Sequence, residues 1–248
     1  MTRLTFDPGL DSDPIWTADG GRIVYASARA GATNIFWQSA DGTGSAEGLT
    51  KGPNYQLPGS VTPDGRLLIF REGVGARAVD LRVLTLDERR ETRPLLQAAL
   101  PVANGEMSPD GRWLAYQSDE SGRPEIFVRP FPDVNGGRWQ VSTTGGTRPA
   151  WARDGRELYY LDRNNFITLV NILPSSTSFA TSSPVKALDA PTAVTIGVPY
   201  RSFDVSPDGK RFLVIKDARD SDTKSSATPG LVVVQNWVEE LKALLPAK

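Results

Sequence analysis

Six polar side chains stand where this chain's internal repeats disagree: Asp13, Asn104, Glu106, Arg148, Arg201 and Asp204. Three are carboxylates and one is an amide, so Asp13, Asn104, Glu106 and Asp204 form a candidate set of oxygen ligands for a hard cation such as calcium. A cation held there would polarise an ester, lactone or phosphotriester and activate a water, with Glu106, Asp204 and Asp13 as candidate catalytic carboxylates. Paired carboxylates also suit glycoside hydrolysis, which needs neither His nor Cys. Without catalysis, the same six side chains make a polar rim in which Arg148 and Arg201 offset the acids. Such a rim binds a protein, a peptide or a small-molecule ligand, and this is the leading expectation.

What the sequence lacks narrows the chemistry. It has no histidine, which removes the commonest general base, the commonest metal ligand and every Ser-His-Asp or Cys-His arrangement. It has no cysteine, so disulfides and thiolate metal sites are excluded. The 28 basic and 29 acidic residues leave a net charge of -1, which gives no bulk attraction to nucleic acid or to an anionic membrane. No apolar run approaches the roughly 18 residues of a spanning helix. The start, Met1-Thr2-Arg3-Leu4-Thr5-Phe6, has no apolar signal-peptide segment. With 39% apolar residues over 248 positions, the protein is expected to build a core as a single domain and to work as a monomer.

The six side chains must be positioned by a repeat. Ser108-Pro109-Asp110-Gly111-Arg112-Trp113-Leu114-Ala115-Tyr116 is a tight turn running into a strand of alternating character. Versions of it surround Asp19, Asp64, Asp154 and Asp208, and the five aspartates are 45, 46, 44 and 54 residues apart. A period in the forties with strand signals inside each unit predicts an all-β, five-bladed β-propeller of four-stranded antiparallel blades. The repeats run over about 10–52, 53–101, 102–146, 147–191 and 198–236. The fifth lacks a fourth strand, and residues 2–6 resemble one, so the N-terminal strand is expected to close the last blade and leave no open edge. Residues 237–245, Trp237 to Leu245, carry apolar positions at helical spacing and are expected to form a short C-terminal helix.

Aligned on the aspartates, the residues that enter each blade fall into rings. Six positions before the aspartate stand Asp13, Pro58, Asn104, Arg148 and Ser202; four before stand Ile15, Ser60, Glu106, Ala150 and Asp204. The first strand of a propeller blade lines the central channel, so these rings are expected at its rim. The turn aspartates themselves are scaffold, because Asp in such a turn bonds its own backbone while Gly takes positive φ. Trp16, Trp113, Trp139, Trp151, Tyr159 and Tyr160 are expected between blades. The stretch 174–184 reads as a polar loop and 216–229 as a solvated insertion. Asp217, Asp220 and Asp222 in that insertion lack the Gly and Glu positions of a calcium-binding EF-hand loop.

The repeated unit, with Trp16, Val61, Met107, Trp151 and Val205 three before each aspartate, resembles the TolB-like, WD-type bacterial propeller repeats over essentially the whole sequence. Residues 110–116, Val128-Arg129-Pro130-Phe131-Pro132, 138–142, 151–161 and 236–241 are similar to the C-terminal propeller of bacterial receptor-type serine/threonine kinases. That resemblance implies a non-kinase sensor or interaction module, located in the periplasm or otherwise outside the cytoplasm, that binds partners at the channel mouth. It implies no shared catalytic residue, and the sequence has no kinase nucleotide loop or Asp-Phe-Gly motif.

Overall fold

Each repeat opens on the same hydrogen-bonded corner. In the third, Ser108 Oγ donates to Asp110 Oδ1 (2.6 Å) and accepts from the Trp113 amide (2.9 Å). The Arg112 amide donates to Asp110 Oδ1 (3.0 Å), and the Gly111 amide donates to the Ser108 carbonyl (2.9 Å). Gly111 turns the backbone at φ 71°, a left-handed conformation that costs a residue with a Cβ about 1–2 kcal/mol. Thr17, Thr62 and Ser206 play the part of Ser108 in three other repeats. Their hydroxyls hold the carboxyls of Asp19, Asp64 and Asp208 below the usual range. The fourth repeat has Ala152 instead and keeps only the backbone bonds and the Arg156 amide to Asp154 Oδ1.

The computed structural model describes residues 4–74, 78–97, 100–175, 178–188, 203–214 and 232–233. Blade 1 consists of β1 (Asp11–Trp16), β2 (Arg22–Ser27), β3 (Asn34–Ser39) and β4 (Glu47–Gly48). Blade 2 follows with β5 (Gln56–Val61), β6 (Leu67–Val74), β7 (Ala78–Thr85) and β8 (Thr92–Leu96). Blade 3 has β9 (Val102–Met107), β10 (Trp113–Ser118), β11 (Glu125–Pro130) and β12 (Trp139–Gln140). Blade 4 has β13 (Gly146–Trp151), β14 (Glu157–Asp162), β15 (Ile167–Asn171) and β16 (Val185–Leu188). In all four, strands are antiparallel and pair in sequence order. A fifth sheet has three described strands, β17 (Phe203–Val205), β18 (Phe212–Val214) and β19 (Val232–Val233).

The structure is thus an all-β propeller with four four-stranded blades and a partial fifth sheet among the described residues. Leu4 to Phe6, the described part of the expected closing segment, lie in no strand. Thr2, Arg3, the insertion 216–229 and the expected helix over 237–245 lie outside the described residues.

Apolar clusters fill each described gap between neighbours. Leu68, Phe70 and Leu84 meet Val24 and Ile35 between blades 1 and 2, and Met107, Leu114, Tyr116 and Phe127 meet Ile69 and Leu81 between blades 2 and 3. Trp151, Leu158 and Tyr160 pack on Ala115, Ile126 and Val128 of blade 3, and Phe203 and Phe212 pack on Ala150 and Tyr159 of blade 4. Inner strands are also laced together one repeat apart. Ser60 Oγ donates to the Gly105 carbonyl (3.1 Å) and accepts from the Met107 amide (3.0 Å), while Trp151 Nε1 donates to the Glu106 carbonyl (3.1 Å). Gly59 makes the first contact possible, since a Cβ there would lie 2.7 Å from the Gly105 carbonyl oxygen.

Two expectations need correction. Trp16 is 62% exposed, whereas its counterpart Trp151 is 8% exposed. Trp16 lies on the face of blade 1 that corresponds to the Trp151 face of blade 4, and among the described residues no neighbouring blade covers it with an apolar cluster. Conversely, the stretch 174–184 is not simply polar. It returns Phe179 to a buried site against Trp113, Trp139 and Trp151, with ring centroids 5.1 to 6.3 Å apart.

The corner chemistry gives a stability expectation. Ser108→Ala removes a donor to Asp110 and leaves the Trp113 amide without its side-chain acceptor, at a cost of about 1–2 kcal/mol. Chemical denaturation should show a lower midpoint with an unchanged slope; an unaltered midpoint would show that backbone bonds alone hold the corner.

Candidate functional site

The start of every complete inner strand carries an irregularity at the same place. Pairing with the second strand shifts register between Ser12 and Ile15, between Pro58 and Ser60, opposite Ala103 to Glu106, and between Thr147 and Ala150. These are bulges, in which one extra residue bends the strand and re-aims neighbouring side chains. In three blades the bulged residue is left-handed: Asp13 at φ 53°, Asn104 at φ 53° and Arg148 at φ 56°. Asn and Asp tolerate that conformation, but Arg there is held against its preference, and such positions gather at functional sites. Blade 2 places Pro58, whose ring forbids positive φ, at the equivalent position.

A cavity of about 490 Å³ opens over these bulges. Blade 1 contributes Leu10 to Ile15, and blade 2 contributes Leu57 to Gly59 with Arg71 and Leu81. Blade 3 supplies Asn104 to Glu106, blade 4 supplies Arg148 and Pro149, and the fifth sheet supplies Phe203, Asp204 and Leu213. Every sheet therefore delivers its inner strand to one space, which is the mouth of the channel. Asp13, Asn104, Glu106, Arg148 and Asp204 all border it; Arg201 lies outside the described residues.

The polar groups are unevenly satisfied. Asn104 Nδ2 donates to Gln117 Oε1 (3.0 Å), which steadies the side chain at the bulge. Burial pushes the Asp13 carboxyl up, against the opposing pull of the Ser12 hydrogen bond and the Arg71 charge. Asp13 Oδ2 is buried with no hydrogen-bond partner. Burial likewise lowers the pKa of Arg71, with the charges of Tyr55 and Asp13 opposing it. Among the described residues, no three Asp or Glu side chains stand close enough together to hold a metal ion. Asp13, Glu106 and Asp204 border one cavity without forming a cation cage.

Arg71, Leu81 and Leu213 enter the site without having been expected there. Arg71 had a legible signal: it ends the apolar run Leu67 to Phe70, seven residues after Asp64, where other repeats have Ala26, Gln117 and Leu161. Each of these pairs with the inner-strand residue seven before its aspartate, so position seven on the second strand flanks the rim.

No profile of a known protein family matches the sequence. A stretch of 71 residues, 28% of this protein, is 44% identical to part of the Tol-Pal system protein TolB of Hahella chejuensis and spans 16% of that protein. The crystal structure of TolB from Acinetobacter baumannii is similar over 86% of this protein and 50% of that one, at 19% identity and a TM-score of 0.67. A puromycin-hydrolysing peptidase of Mycobacterium tuberculosis is similar over 84% of this protein and 34% of that one, at 17% identity and a TM-score of 0.54. The sequence thus spans half or less of each of these proteins. Together with the strand order, the comparisons show a β-propeller fold similar to that of TolB.

Asp13 offers a pH-dependent check. A carboxyl whose folded pKa is raised contributes stability that is full below its unfolded pKa, about 3.9, and is lost as pH rises through the folded value. Asn accepts the same backbone conformation and carries no charge. Asp13→Asn should therefore raise stability at pH 7 and leave it unchanged near pH 3. Melting curves at both pH values decide it; an equal gain at both would mean that the ionised carboxylate is not the source.

Proposed function

We propose that this propeller is a binding module whose channel mouth takes an extended segment of a partner protein. The observation that carries the reading is the single cavity bordered by the inner strand of every sheet, at the one place where the repeats stop agreeing. Its size lies in the range of ligand sites, roughly 300–1,000 Å³. Apolar Leu57, Pro149, Phe203 and Leu213 offer surface for side chains, and the bulges leave main-chain groups out of the ladder, where a peptide backbone can reach them. Asp13, Asn104, Glu106, Arg148 and Asp204, with Arg201, supply orientation and charge. The Hahella chejuensis relative is a Tol-Pal system protein, which supports a protein partner over a free metabolite.

The wider reading is one domain over residues 1–248, a five-bladed propeller working as a monomer outside the cytoplasm; since Leu4 to Phe6 lie in no strand, closure of the last blade by residues 2–6 is not part of it. Among the described residues no helix is long and apolar enough to cross a membrane. For calcium-assisted hydrolysis, no three Asp or Glu side chains gather to hold a cation among the described residues, and for glycoside hydrolysis no pair of rim carboxylates is singled out by geometry, so the binding reading is preferred.

Because the protein has no cysteine, one introduced thiol can be blocked cleanly. Glu106→Cys capped with a bulky maleimide should weaken binding of peptides selected from a displayed random library at least tenfold. Arg66→Cys capped the same way, at a blade corner, should leave binding unchanged. Retained binding with position 106 blocked would place the ligand elsewhere and overturn the reading.

A further inference from the structure

Charges buried in folded proteins are paired or hydrogen-bonded, because an uncompensated one is costly. Arg71 departs from that rule. It is 8% exposed and borders the channel cavity. Among the described residues it makes no hydrogen bond and no ion pair. Its company is the Tyr55 ring, whose centroid lies 5.7 Å from Cζ, and the charge of Asp13. The Tyr55 ring lies over Gly73, which donates its amide to the Tyr55 carbonyl (3.0 Å) and whose missing Cβ leaves room for the ring. The guanidinium therefore opens onto the cavity beside the Tyr55 ring, with its donors used by no protein group among the described residues.

We propose that Arg71 anchors the ligand of the channel mouth and that the ligand presents a carboxylate to it. This rests on the reading of the channel mouth as a peptide-binding site. A guanidinium offers five N–H donors in a planar fork that matches a carboxylate in two parallel hydrogen bonds. Arg148, 6% exposed on the same cavity, adds a second cation. The acids Asp13, Glu106 and Asp204 around the rim disfavour a doubly charged group such as a phosphate and leave room for a single negative charge. The unpartnered Asp13 Oδ2 accepts a neighbouring N–H of the same segment. The carboxylate comes either from an Asp or Glu side chain or from the C-terminus of the bound polypeptide.

The test selects a displayed random heptapeptide library against the intact protein, then measures synthetic versions of the selected peptides on wild type, Arg71→Met and Arg71→Lys. The expected result is enrichment of Asp or Glu at one position, or binding that requires a free C-terminal carboxylate. Amidated and free-acid versions, and Glu→Gln or Asp→Asn versions, distinguish the two sources. Arg71→Met should weaken binding at least tenfold while melting no lower than wild type, because an apolar side chain replaces an uncompensated charge. Arg71→Lys should weaken it less, since one ammonium keeps the charge but not the fork. Selected peptides that need no carboxylate, or that bind Arg71→Met undiminished, would overturn the anchor while leaving peptide binding intact. An Arg71→Met protein that melts markedly lower would show a structural role and overturn it as well. A library that yields no binder to the channel would defeat the binding reading itself.

Discussion

A carboxylate oxygen that accepts a backbone amide, and in four of the five repeats a hydroxyl as well, sets the register of the blade corners on which this structure depends. Ser108 and Asp110, with their counterparts at Thr17, Thr62 and Ser206, tie the end of one strand to the start of the next. Once the corner is fixed, the distance back along the inner strand is fixed too. Six residues before the aspartate, each complete blade reaches its bulge, and there Asp13, Asn104 and Arg148 turn left-handed at the channel mouth. The scaffold repeats so that the rim can differ.

Corner and rim are connected through packing between blades. Ser60 and Trp151 each reach forty-five residues away to a carbonyl on the neighbouring inner strand, so the inner strands of blades 2, 3 and 4 hold one another at defined spacing. Gly59 permits that approach, since any larger residue would strike the Gly105 backbone. Outside the channel, Arg90 of blade 2 reaches blade 1, its guanidinium 4.4 Å from the Trp37 ring, which also takes Arg22 at 3.8 Å and donates to Glu47. Surface contacts of this kind contribute modestly each. Their effect on the site is indirect: they keep the blade angles, and hence the cavity, from drifting.

Much of this was legible in the order of residues. Strand alternation and the Asp-Gly corners placed the blades, and alignment on the aspartates alone picked out Asp13, Asn104, Glu106, Arg148 and Asp204. The left-handed backbone was not legible, because nothing in the type of Arg148 announces it; the bulge arises from strand curvature around the channel. Arg71 carried its signal only in the alignment, seven residues after Asp64, while a charge following an apolar run reads by itself as an exit to solvent. Its exposure depends on what the inner strand places beside it. Phe179 escaped notice inside a polar stretch, since a single aromatic has no period to betray it. Trp16 shows the opposite limit: its repeat position matches buried Trp151, yet burial needs a neighbouring face as well as a matching residue.

The central claim is that the bulged starts of the inner strands form one binding site. Hydrogen–deuterium exchange on the protein, free and saturated with a selected peptide, tests it most directly. Binding at the channel mouth slows exchange at residues 10–15, 57–59, 104–106 and 148–149 and leaves the outer strands β4, β8 and β12 unchanged. Protection confined to the outer strands, with the bulges exchanging as before, would contradict it.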